Sequence, residues 1–100
     1  MKTKDQILDF LSQNKKLLRD QYHIIRIGLF GSYARDEQNI DSDLDILVEF
    51  EENTPDLHEL KKKLKDFLRK KLGTEIDICR EKYIKPRIKK DILKETLYAE

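Results

Sequence analysis

Apolar residues near the start of the chain recur at helical spacing. Ile7, Phe10, Leu11, Leu17, Leu18 and Tyr22 mark one face, and Thr3-Lys4-Asp5-Gln6 ahead of them has the form of a capping box. Asn14 interrupts that face, and the spacing predicts one long covering helix to about Asp20. Ile24 to Phe30 is short, β-branched and apolar, which predicts a strand. His23 at its mouth reads as structural. After the polar turn Asp36–Asp41 the period changes to two: Leu44, Ile46, Val48 and Phe50 share one face, and Asp43, Asp45, Leu47 and Glu49 the other. Only a sheet face open to solvent or ligand would carry that second set.

Thr54-Pro55-Asp56 predicts a helix start, with Thr54 capping and Pro55 in the first turn. Leu57, Leu60, Leu64, Phe67, Leu68 and Leu72 then form a stripe that stops at Gly73. Thr74 to Cys79 predicts a third strand, with Ile76 and Ile78 on one face and Glu75, Asp77 and Cys79 on the other. Pro86 opens a last helix carrying Ile88, Ile92, Leu93 and Leu97; Tyr83, Ile84 and Tyr98 pack around it or mark a partner surface. Helix, strand, strand, helix, strand, helix defines an α/β fold. A small mixed β-sheet has helices packed on one face, its first two strands antiparallel and its acid-bearing face open.

The 100 residues are read as one domain, 1–100. Lys and Arg number 21 and Asp and Glu 20, a formal net charge of +1, so the chain lacks the basic excess of a protein that grips many phosphates of a polynucleotide. The lysines on the fourth predicted element (Lys61, Lys62, Lys63, Lys65, Lys70, Lys71) alternate with Asp56, Glu59 and Asp66 and read as a solvated face, His58 included. No stretch reaches the roughly 20 apolar residues of a membrane span, and Met1 to Gln6 lacks the apolar core of a signal peptide. One cysteine, Cys79, precludes an intrachain disulfide and fits a reducing compartment; a cytoplasmic location is the expectation.

Candidate chemistry concentrates in Gly28-Leu29-Phe30-Gly31-Ser32-Tyr33-Ala34-Arg35 and Asp41-Ser42-Asp43-Leu44-Asp45. Residues at i and i+2 of a strand point the same way, roughly 7 Å apart, so Asp43 and Asp45 place two like charges together. A fold tolerates this most readily with a cation between them, and hard oxygen donors suit Mg²⁺ with phosphate and water completing its shell. Gly31 permits close backbone approach to a ligand, Ser32 adds a hydroxyl, and the amides that follow can meet an anion. Asp77, flanked by isoleucines, joins the pair if the third strand lies beside the second. An EF-hand is the rival reading, since Asp41, Asp43, Asp45 and Glu52 have its spacing. It fails at Ile46, where the loop requires glycine. Cys79 reads as a small buried residue, because carboxylate neighbours raise a thiol pKa.

The run GSYAR, a short spacer and SDLD resembles the nucleotidyltransferase motif of the DNA polymerase β superfamily in its minimal (MNT) form. The resemblance implies a polymerase β-like fold and Mg²⁺-dependent nucleotidyl transfer. Asp43, Asp45 and Asp77 would be the catalytic, metal-holding carboxylates. Asp43 and Asp45 would hold Mg²⁺ on the triphosphate, and Asp77 would complete one metal site and help deprotonate or orient the attacking hydroxyl. Two ions about 4 Å apart would stabilise the entering and leaving oxygens. Gly31 and Ser32 would hold the β- and γ-phosphates of ATP. Arg35 either adds charge there or is a surface ion-pair partner. Larger members carry further domains for the second substrate, for which this chain has no room. Minimal members resemble antitoxins that transfer AMP to a tyrosine of a HEPN-domain ribonuclease. Neutralisation by binding alone, and nucleotide addition to RNA or a small molecule, are the alternatives.

Overall fold

The computed structural model describes residues 2–100. Met1, the first residue of the segment read for a targeting signal, lies outside them. Helices α1 (Lys4–Gln13) and α2 (Lys15–Tyr22) lead into strand β1 (Ile24–Phe30) and a single-turn helix α3 (Gly31–Ala34). Strand β2 (Leu44–Phe50), helix α4 (Leu57–Leu72) and strand β3 (Ile76–Arg80) follow. A 3₁₀ turn at Glu81–Tyr83, helix α5 (Pro86–Glu95) and a short strand β4 (Leu97–Tyr98) complete the order.

The strands form a four-stranded mixed sheet in the order β3-β2-β1-β4. β1 pairs antiparallel with β2 and with β4, while β2 and β3 run parallel, joined through α4. Alternation divides the faces as the pattern requires. Ile27, Leu29, Leu44, Ile46, Val48, Phe50, Ile76 and Ile78 are buried on the core face, against Ile7, Leu11 and Leu18 from α1 and α2 and Leu64, Leu68 and Leu72 from α4. Burying each such side chain stabilises the fold by about 1.5–3 kcal/mol relative to leaving it exposed. The opposite face carries Phe30, Asp45, Leu47, Asp77 and Cys79.

Several boundaries differ from those expected. The long first helix is two, because the Asn14 side-chain amide donates to the Phe10 carbonyl at 2.8 Å and its backbone leaves helical geometry at φ −101°, ψ 14°. An asparagine that bonds its own preceding turn competes with helix continuation. Helix α4 starts at Leu57, not at Pro55, behind Asp56 in the left-handed region. Thr54 does not cap it; its hydroxyl donates to the Glu51 carbonyl at 2.6 Å and closes the preceding turn. Strand β3 is displaced to Ile76–Arg80 from the expected 74–79.

Leu97 leaves α5 and enters β4. Thr96, whose hydroxyl donates to the Ile92 carbonyl at 2.7 Å, has extended geometry and ends the helix. Helices α1, α2 and α4 cover one sheet face, and α5 adds a partial cover on the other, where Ile88 and Ile92 border a cleft shared with Phe30, Asp45 and Asp77. No helix among the described residues is long and apolar enough to cross a membrane.

Candidate active site

The register of the sheet brings two of the three candidate acids together. Asp45 pairs with Asp77 on the neighbouring parallel strand and with Phe30 on the antiparallel one, so both carboxylates rise from one face at adjacent positions. Neighbouring strands lie about 4.8 Å apart, which makes this a close like-charge pair. Asp43 precedes β2 by one residue and is exposed. The turn before it is built locally. The Asn39 amide N–H donates to the Ser42 hydroxyl at 3.0 Å, and the Asp41 N–H donates to Asn39 Oδ1 at 2.9 Å. The Leu44 N–H then donates to the Glu75 carbonyl at 2.8 Å, tying the start of β2 to the approach of β3.

These positions have an electrostatic consequence at Asp45. Burial, followed by the charges of Asp77 and Asp43, pushes its carboxyl up to about 6, with Arg35 opposing and Glu95 adding to the rise. An acid so placed is one that a cation or a proton would stabilise. Asp43, Asp45 and Asp77 make no ion pair among the described residues. Nor do three or more His, Cys, Asp or Glu side chains there converge into a ready metal cage. The donor set nevertheless fits Mg²⁺, which takes one or two carboxylates and fills the remaining positions with water and phosphate.

Gly31 lies directly against this pair. Its φ is +74°, a conformation that favours glycine, and a Cβ added there would collide with Asp45 Oδ2. The glycine therefore lets the end of β1 turn sharply into α3 beside the Asp45 carboxylate. Ser32 follows, half-buried, on α3. Arg35, the C-cap of α3, makes two ion pairs: Nε to Glu37 Oε1 and Nη1 to Glu95 Oε2, both at 2.8 Å. The surface-pair reading of Arg35 thus has its partners, and one of them reaches the site. Glu95 Oε1 accepts the Gly31 N–H at 3.1 Å.

Glu95 was not among the residues singled out from the sequence. It is 64 residues from Gly31, and a glutamate at the end of an amphipathic helix carries no local signal. The cleft beside the acids was equally invisible. It measures about 480 Å³, and Tyr83, Ile84, Ile88 and Ile92 line it together with Lys61 and Arg80. Cys79 also lines it; burial and then Asp77 and Asp45 push its thiol pKa up, as its carboxylate neighbours predict.

This fold, with its acid-bearing strands beside a Gly-Ser turn, defines the class of the protein as a nucleotidyltransferase. A family model for the nucleotidyltransferase domain matches residues 5–99, and the chain belongs to that family. It is 40% identical to protein adenylyltransferase MntA of Thermococcus cleftensis, over 99% of this chain and 98% of the relative. A solved minimal nucleotidyltransferase, so described provisionally, superposes with a TM-score of 0.75 at 34% identity, covering 92% of each chain. A substituted form of the toxin–antitoxin pair MntA–HpeT contains a chain that superposes at 0.60 and 25% identity, over 88% of this chain and 70% of that one.

Proposed function

We propose that this protein transfers AMP from ATP to a hydroxyl group of a partner protein, a tyrosine of a HEPN-domain toxin, and so acts as its antitoxin. The observation that carries the reading is the Asp45–Asp77 pairing in register across β2 and β3, set against Gly31. The Thermococcus relative's name supports protein as the acceptor, and the MntA–HpeT pair supports a toxin as the partner.

In this reading Asp43 and Asp45 would hold the metal that accompanies the triphosphate, and Asp77 would complete the acidic set beside the acceptor. Mg²⁺, two ions in the fullest form, would neutralise phosphate charge and stabilise the entering and leaving oxygens. The Gly31 amide, the Ser32 hydroxyl and Arg35 orient the β- and γ-phosphates. The acceptor hydroxyl attacks the α-phosphorus, with Asp77 orienting it and receiving its proton. The new bond joins acceptor oxygen to phosphorus as the bond to the bridging oxygen of pyrophosphate breaks, and pyrophosphate leaves. Phe30 on one side of Asp45 and Ile92 from α5 give the cleft an apolar wall beside the acids.

Asp43→Asn and Asp45→Asn test catalysis against neutralisation by binding. Each removes an anionic metal donor with little change of shape, and activity falls by about 10²-fold or more. The account expects both variants to bind the toxin and fail to silence it. Undiminished neutralisation by either variant, with no transfer detected, would replace the enzyme by a steric inhibitor.

A further inference from the structure

Glu95 places a carboxylate on two of the donors assigned above to the triphosphate. Its Oε1 accepts the Gly31 N–H at 3.1 Å, and its Oε2 pairs with Arg35 Nη1 at 2.8 Å. The side chain is 25% exposed, so this contact lies partly within the protein, unlike that of Glu37, which meets the same guanidinium from a side chain 59% exposed. One carboxylate thus spans a backbone amide and a guanidinium with both of its oxygens, as a phosphate oxygen pair would. It does so close to another acid, since its charge contributes to the raised Asp45 carboxyl. Repulsion from Asp45 opposes that position, and the Gly31 and Arg35 contacts hold it there.

We infer that Glu95 is a positioning residue whose carboxylate occupies the Gly31 amide and Arg35 as an internal stand-in for phosphate, and that an incoming nucleoside triphosphate must displace it. The inference rests on the assignment of Gly31 and Arg35 to the triphosphate. Displacement also has a mechanical outlet. Glu95 ends α5 and stands two residues before β4, which pairs with β1 at Gly28 and Leu29. Exchange of Glu95 for phosphate therefore reports site occupancy to α5 and the edge of the sheet.

The test is Glu95→Gln beside Glu37→Gln, with inorganic triphosphate and ATP as probes in the presence of Mg²⁺. Loss of one competing charged hydrogen-bond pair is expected to tighten triphosphate and ATP binding by about tenfold in Glu95→Gln. KM for ATP falls with it and kcat is unchanged, because Glu95 is absent from the donors once substrate is bound. Glu37→Gln shifts binding much less. A merely structural Glu95 would lower the melting temperature and leave KM in place, and equal effects of the two variants would reduce the finding to general charge removal; either result overturns the inference.

If Glu95→Gln does not fold, wild-type protein provides the reading by nuclear magnetic resonance. Titration with inorganic triphosphate must move the Gly31 amide and the Glu95 carboxyl-carbon resonances at one midpoint. A shifting Gly31 with an unmoved Glu95 overturns displacement. If wild type and Glu95→Gln both fail to bind either probe, the nucleotide assignment itself falls, whereas wild-type binding without tightening in the variant removes only the role of Glu95.

Discussion

Asp45 carries the conflict between folding and chemistry in its own titration. In the folded protein its carboxyl is pushed up to about 6 from the ordinary 3.8, first by burial and then by Asp77 and Asp43. Between those values the folded state keeps a proton that the unfolded chain has released. Stability therefore falls as pH rises through this window, and the full cost is present above about 6. Because the group is half-buried, solvent screening reduces that cost to about 1–2 kcal/mol. Asp45→Asn, which cannot ionise, should melt about 5–10 °C above wild type at pH 7.5 in metal-free buffer, with the gap closing near pH 4. A gap that is absent at pH 7.5, or equal at both pH values, would remove the charge conflict on which the metal assignment leans. The residue destabilises the fold at the pH where the reaction needs it ionised.

At the scale of elements, the sheet positions chemistry through pairing, and the last strand depends on a residue without a side chain. A Cβ on Gly28 would stand 2.7 Å from the Leu97 carbonyl oxygen and 3.0 Å from a Tyr98 ring carbon. The close approach of β4 to β1 therefore requires glycine at this position. Gly28→Val should detach β4, seen as loss of amide-exchange protection at Ala99, whose N–H donates to the Ile27 carbonyl at 2.9 Å. Protection retained there would show that the sheet accommodates the side chain. Strand β2 and the stripe of α4 are legible in the sequence because period and burial coincide in them, and β1 because it is a short, β-branched apolar run. The break at Asn14, the start of α4 at Leu57 and the entry of Leu97 into β4 are not. Each depends on a side-chain hydrogen bond or a tertiary pairing that overrides the local pattern.

Across the whole molecule, nearly balanced charge accompanies one concentrated acidic site flanked by a cleft with basic and apolar walls. The Asp43-Leu44-Asp45 spacing exposed the acidic strand to inspection. The parallel partnering of Asp45 with Asp77 depended on how β3 joins the sheet, and the link from Glu95 to Gly31 on the packing of α5, neither of which a local pattern encodes. The measurement that tests the central claim most directly is intact mass of a candidate partner toxin, after incubation with purified protein, ATP and Mg²⁺. The account predicts a gain of one or more AMP groups on the toxin, absent when Asp45→Asn replaces wild type. An unmodified toxin that nevertheless remains bound and silenced would contradict it.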